Sequence, residues 1–107
     1  ASGNASLMAF TRALGGSSLD HGIRVVGVNP GPVETERVVK LLERRAIDLY
    51  GDEGRWPELR KRYPLQRPAR VSEVADVIVF LASERCAYVS GTIWTVDGGI
   101  ASRQSII

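Results

Sequence analysis

Ile23-Arg24-Val25-Val26-Gly27-Val28 is a β-branched run broken only by Arg24 and Gly27, and Asn29-Pro30-Gly31-Pro32-Val33-Glu34-Thr35 follows it directly. With His21-Gly22 before it and the prolines after it, the run predicts a strand buried on both faces of a parallel sheet. Ligands of such sheets bind beyond the carboxyl ends of the strands, so Asn29 to Thr35 is the candidate binding loop. Pro30 and Pro32 pin the backbone and Gly31 admits close approach, which can hold amide and carbonyl groups around Val33 toward a planar polar ligand. Thr35 adds a hydroxyl able to donate or accept. The same residues equally describe a stiff strand-to-helix turn with Thr35 as a plain N-cap.

On the N-terminal side, Ser2 to Leu14 holds good helix formers and no proline, with Leu7, Phe10 and Leu14 at the spacing of one helical face. Ala5, Met8, Ala9 and Ala13 extend the apolar surface round most of the cylinder. Such a helix calls for cover on more than one side, by a sheet and by a further partner such as a second subunit. Gly15-Gly16-Ser17-Ser18 is expected to stop it. On the C-terminal side, Thr35 and Glu36 open a helix to about Tyr50, Gly51 to Gly54 end it, and Trp56 to Tyr63 forms a second, more basic helical piece. Nothing between Glu34 and Arg70 reads as a pairing strand. Ser72 opens a further helix, Gly91 to Val96 is a β-branched strand, and Asp97-Gly98-Gly99 turns the chain at its end. Strand, crossover helix and strand make a parallel pair with a right-handed connection. The fold class is therefore α/β with a parallel sheet and flanking helices, and since two strands cannot make a stable doubly wound sheet, the chain looks like the back half of something larger.

Composition is that of a folded globular chain, 44% hydrophobic and 24% charged over 107 residues. The net charge of +2 is too weak to imply nucleic acid, and the basic residues between Arg37 and Arg70 are interleaved with Glu43, Asp48, Asp52, Glu53 and Glu58. No apolar run reaches the ~20 residues of a membrane span, so no membrane partner is expected. Cys86 is the single cysteine and His21, in a turn, the single histidine, so neither a disulfide nor a metal site is expected, and the compartment that fits is the cytoplasm.

Three segments together resemble the short-chain dehydrogenase/reductase family: Asn4-Ala5-Ser6-Leu7 with Thr11-Arg12-Ala13-Leu14, then Arg24 to Thr35, then Ser90-Gly91-Thr92-Ile93-Trp94-Thr95-Val96-Asp97-Gly98-Gly99. Pro68-Ala69-Arg70-Val71-Ser72-Glu73-Val74-Ala75 is similar to the family's approach to its last long helix. The resemblance implies the C-terminal part of a Rossmann-like doubly wound parallel sheet with flanking helices, 1–107 being the C-terminal half of a single domain. It implies an NAD- or NADP-dependent oxidoreductase that moves a hydride between the nicotinamide and a carbonyl or secondary alcohol. It implies that Pro30, Gly31, Val33 and Thr35 grip the nicotinamide carboxamide. It implies that residues 35–70 form a substrate lid, with Val38, Leu41, Leu42, Tyr50 and Trp56 shaping the pocket, and that the protein is a homo-oligomer, dimer or tetramer.

The family's glycine-rich phosphate loop and ribose selector belong to the first half of the fold and have no counterpart in this sequence, so NAD and NADP are not distinguished. Matching Ala5-Ser6-Leu7 sets Asn4 at the position of the family's lysine and the catalytic tyrosine just before Ala1. The lysine's charge depresses the tyrosine pKa and its ammonium bonds the nicotinamide ribose; an amide retains only the hydrogen bond. The alternative implied by Asn4 is a non-catalytic subunit or scaffold of the same fold.

Overall fold

The computed structural model describes residues 2–103. Ala1 and residues 104–107 lie outside the described residues. The elements run α1 (Ser2–Ser18), β1 (Val26–Pro30), α2 (Glu36–Tyr50), α3 (Val71–Ala82) and β2 (Thr92–Val96), joined by 3-10 segments at Leu19–His21, Glu53–Arg62, Pro64–Gln66, Glu84–Cys86 and Ile100–Ser102. β1 and β2 are neighbours in a parallel sheet, as the strand-crossover-strand order predicts. The chain divides into two compact units, Ala1–Asn29 with Ala75–Val96, and Pro30–Val74 with Asp97–Ile107.

In the first unit, α1 does not stop at Gly15-Gly16 but continues to Ser18. A helix tolerates glycine at about 1 kcal/mol each, and here Gly15 serves a close approach. A Cβ on Gly15 would clash with Gly91 N and Cα and lie 2.6 Å from the Val25 carbonyl oxygen. The inward residues are accordingly small or polar: Thr11 and Ser18 are buried, while Leu7, Phe10 and Leu14 are 63%, 62% and 44% exposed. The Leu7, Phe10 and Leu14 stripe thus faces outward, and the close approach at Gly15 leaves only small or polar residues on the inward face.

Ser90 clasps the same junction. Its hydroxyl donates to the Gly15 carbonyl at 2.8 Å and accepts from Val25 N at 3.2 Å, and Gly91 N donates to the Val25 carbonyl at 2.8 Å. β1 begins at Val26 rather than Ile23, since this preceding segment is held by the clasp. Arg24 caps the end of α3, donating from Nη1 to the Leu81 carbonyl at 2.6 Å and from Nη2 to the Ser83 carbonyl at 3.1 Å. Cys86 is buried and free, and Phe80 and Trp94 pack with ring centroids 6.3 Å apart.

In the second unit, α2 packs on the Glu53–Arg62 segment around Leu42, Ala46 and Leu59, with Val38, Trp56 and Tyr63 against that core. Gly51, at φ 67°, ends α2 by donating to the Ile47 carbonyl at 2.8 Å. One pairing that the sequence did not announce is a parallel bridge between Val33 and Ala69. A single bridge has no periodic run to betray it. α3 starts at Val71, one residue before Ser72, because the Glu73 carboxylate reaches back to Arg70 N at 2.8 Å and satisfies an amide at the helix entrance.

Candidate functional site

The loop after β1 is held from one side. Glu34 N donates to the Ala69 carbonyl at 2.8 Å and Ala69 N to the Pro32 carbonyl at 2.9 Å. Alternation along the backbone then turns the amide and carbonyl of Val33 to the opposite edge. This places one donor and one acceptor side by side on a rigid loop, the complement of a carboxamide. Thr35 Oγ1 accepts from Val38 N at 3.3 Å, capping α2, and its own proton stays free to donate. Pro30 and Thr35 are exposed, and Gly31 and Val33 half-buried.

Glu34 points into the same unit, where its Oε1 accepts from Arg60 Nη1 at 3.0 Å. The Arg60 guanidinium also lies over the Trp56 ring, 5.1 Å from its centroid. Neither Glu34 nor Arg60 was singled out in the sequence, because 26 residues separate them and no spacing rule joins them.

Of the expected pocket residues, Leu42 is buried in the unit's core, and Val38 and Trp56 pack against it. Leu41 is 54% exposed and lines an open groove of about 450 Å³ with Glu36, Arg37, Lys40 and Arg44. Tyr50 lies under the Arg55 guanidinium, 3.8 Å from its ring centroid. Asn4 is exposed on the first turns of α1, in the other unit.

The base of the expected lid is closed by charge. Arg67 Nη1 and Nη2 donate to the two Glu73 carboxylate oxygens at 2.7 and 3.0 Å. The Arg67 side chain, then the Arg70 amide, hold the Glu73 carboxyl down from its ordinary 4.5 to about 2. A depressed carboxyl stabilises the fold fully above its ordinary pKa, and the contribution is lost as pH falls through about 2. Thermal unfolding of the protein followed from pH 6 downward, in steps to about pH 2, is expected to show this acid-dependent loss; Glu73→Gln starts less stable and flattens the profile. Asp97 is likewise held below the usual carboxylate range, by the Ala101 and then the Gly99 amide.

Among the described residues, no helix is long and apolar enough to cross a membrane. Among the same residues, no cluster of His, Cys, Asp and Glu could hold a metal ion.

A parallel strand pair, its crossover helix and a rigid loop at the carboxyl end of β1 define part of a Rossmann-like, doubly wound α/β protein. A family model described as enoyl-(acyl carrier protein) reductase matches residues 2–101. The chain is 36% identical over 99 residues to an uncharacterized short-chain type dehydrogenase/reductase of Sinorhizobium fredii, covering 92% of this chain and 17% of that protein. It is 36% identical over 95 residues to a glucose and ribitol dehydrogenase homolog of Oryza sativa subsp. japonica, covering 89% and 29%. Among solved structures, L-sorbose reductase from Gluconobacter frateurii, complexed with NADPH and L-sorbose, matches with a TM-score of 0.78 and 32% identity over 94% of this chain and 39% of that one. The chain belongs to the short-chain dehydrogenase/reductase family. It spans less than half the length of these relatives.

Proposed function

We propose that the protein is a nicotinamide-dependent oxidoreductase transferring a hydride between NAD or NADP and a carbonyl or secondary alcohol. The observation that carries this reading is the Val33 edge, whose amide and carbonyl are turned away from the Ala69 pairing. Those groups and the Thr35 hydroxyl fit the nicotinamide carboxamide, with Pro30 and Gly31 setting the path of the loop. When bound, the nicotinamide supplies the hydride acceptor or donor. Val33 and Thr35 hold the ring so that one face is presented to substrate, and orientation of this kind lowers the barrier by removing rotational freedom beforehand.

The segment between Thr35 and Arg70 acts as the substrate lid. Leu41 faces the substrate, while Val38, Leu42 and Trp56 shape the pocket from behind by fixing α2 in place. Closing the lid excludes water from the transfer. Asn4, at the family's lysine position, bonds a ribose hydroxyl without contributing charge. Polyols and ketoses are the first substrates to try, given the sugar relatives. The outward Leu7, Phe10 and Leu14 of α1 support assembly as a homo-oligomer, dimer or tetramer, and the free Cys86 fits a reducing compartment such as the cytoplasm.

The test is cofactor oxidation or reduction by the full-length protein with a panel of polyols and ketoses. Thr35→Val is expected to raise the cofactor KM about tenfold, the worth of one lost hydrogen bond, and to lower stability by about 1 kcal/mol through the lost cap. Thr35→Ser restores both. Unchanged cofactor affinity in Thr35→Val would remove Thr35 from the site.

A further inference from the structure

We propose that Glu34 and Arg60 form a latch that holds the Pro32 to Thr35 loop in its ligand-receiving shape, making both positioning residues for the cofactor. The proposal rests on the reading of that loop as the nicotinamide grip. Glu34 stands between Val33 and Thr35, so a force on its side chain acts on both contact residues. Its backbone is tied by the bond from Glu34 N to the Ala69 carbonyl. Its carboxylate is tied by the 3.0 Å bond from Arg60, with the two side chains 32% and 36% exposed.

Arg60 is itself placed by two neighbours. It follows Leu59, which is 2% exposed in the unit's core, and its guanidinium lies over Trp56, which packs on that core. The chain of contacts therefore runs from the lid's apolar core through Trp56 and Arg60 to Glu34 and the loop backbone. Pro30, Pro32 and the bond from Glu34 N to the Ala69 carbonyl restrain the loop up to Glu34, but none of them restrains the ψ of Glu34 on the way to Thr35. The ion pair removes that freedom from outside the loop. A planar guanidinium suits both tasks, since it stacks on the indole and points an N–H at the carboxylate.

The experiment uses the full-length protein. The cofactor KM and kcat are measured for wild type, Glu34→Gln, Arg60→Gln, Arg60→Lys and the Glu34→Gln/Arg60→Gln double variant, at low salt and at about 1 M salt. Each single Gln variant is expected to raise the cofactor KM about three- to fivefold, with kcat changed less than about twofold. Arg60→Lys keeps part of the wild-type affinity. The double variant is no weaker than the singles, because one interaction is lost only once. The difference from wild type narrows at high salt. Additive losses, or a difference indifferent to salt, overturn the latch, being marks of general destabilisation.

If the wild type uses neither nicotinamide cofactor, the hydride-transfer reading fails by itself and amide exchange judges the latch. Faster exchange at Glu34 N–H in Arg60→Gln then supports the tie between lid and loop, and equal exchange overturns it.

Discussion

Gly15→Ala is expected to destabilise the protein by at least about 3 kcal/mol, at or beyond the upper end of ordinary overpacking. The added methyl would clash with Gly91 N and Cα and sit 2.6 Å from the Val25 carbonyl oxygen. All three are backbone atoms, so no rotamer change relieves the overlap. Relief requires moving α1 off the strands, and that breaks the bonds of Ser90 to Gly15 and Val25. The adjacent Gly16 supplies the control, since a Cβ there meets nothing within 4 Å. Gly16→Ala is expected to stabilise by about 0.5 to 1 kcal/mol through helix propensity and a less flexible unfolded chain. Urea midpoints of the two variants check the pair. Equal and small shifts would mean that α1 does not approach the strands at Gly15.

Arg24→Met is expected to cost about 2 to 3 kcal/mol, the usual worth of hydrogen bonds from a charged donor together with the exposure of unpaired acceptors. The guanidinium forks to the carbonyls of Leu81 and Ser83, where α3 ends and its last acceptors lack helical partners. A positive group is favoured there by the helix dipole as well. Methionine keeps the apolar stem and removes only the fork, so packing loss is small. Arg24→Lys should recover less than half of the difference, because an ammonium does not span two carbonyls in a plane. Urea denaturation measures both variants; a loss in Arg24→Met under about 0.5 kcal/mol would show that water replaces the guanidinium at no net cost.

Much of the loop after β1 was legible in the sequence. The two prolines around Gly31, the Val33 backbone and the Thr35 cap are local features, and the structure places them in the loop after β1 with Thr35 capping α2. Gly51, likewise, ends α2 where the pattern placed the stop. The reading of α1 fell short in its end, since the helix runs past Leu14 through both glycines to Ser18, and it left the inward face open. Periodicity reports that Leu7, Phe10 and Leu14 share a face, but it does not say which face meets a sheet. Glycine in a helix reads as a stop unless something is known to press against it. The core of the second unit shows the same limit: Leu41 and Leu42 look equivalent in an apolar stripe, yet one is exposed and the other buried.

The sequence by itself determined the order of the elements, the parallel strand pair and the family: each element is set by residues within a few positions of one another, and the pairing and the family follow from the order in which those local segments succeed one another. The tertiary structure alone decided the inward face of α1, the Val33 to Ala69 pairing, the Arg24 cap and the tie between Glu34 and Arg60. These join residues from 26 to 75 positions apart, and such contacts are selected by which surfaces the folded backbone brings within reach.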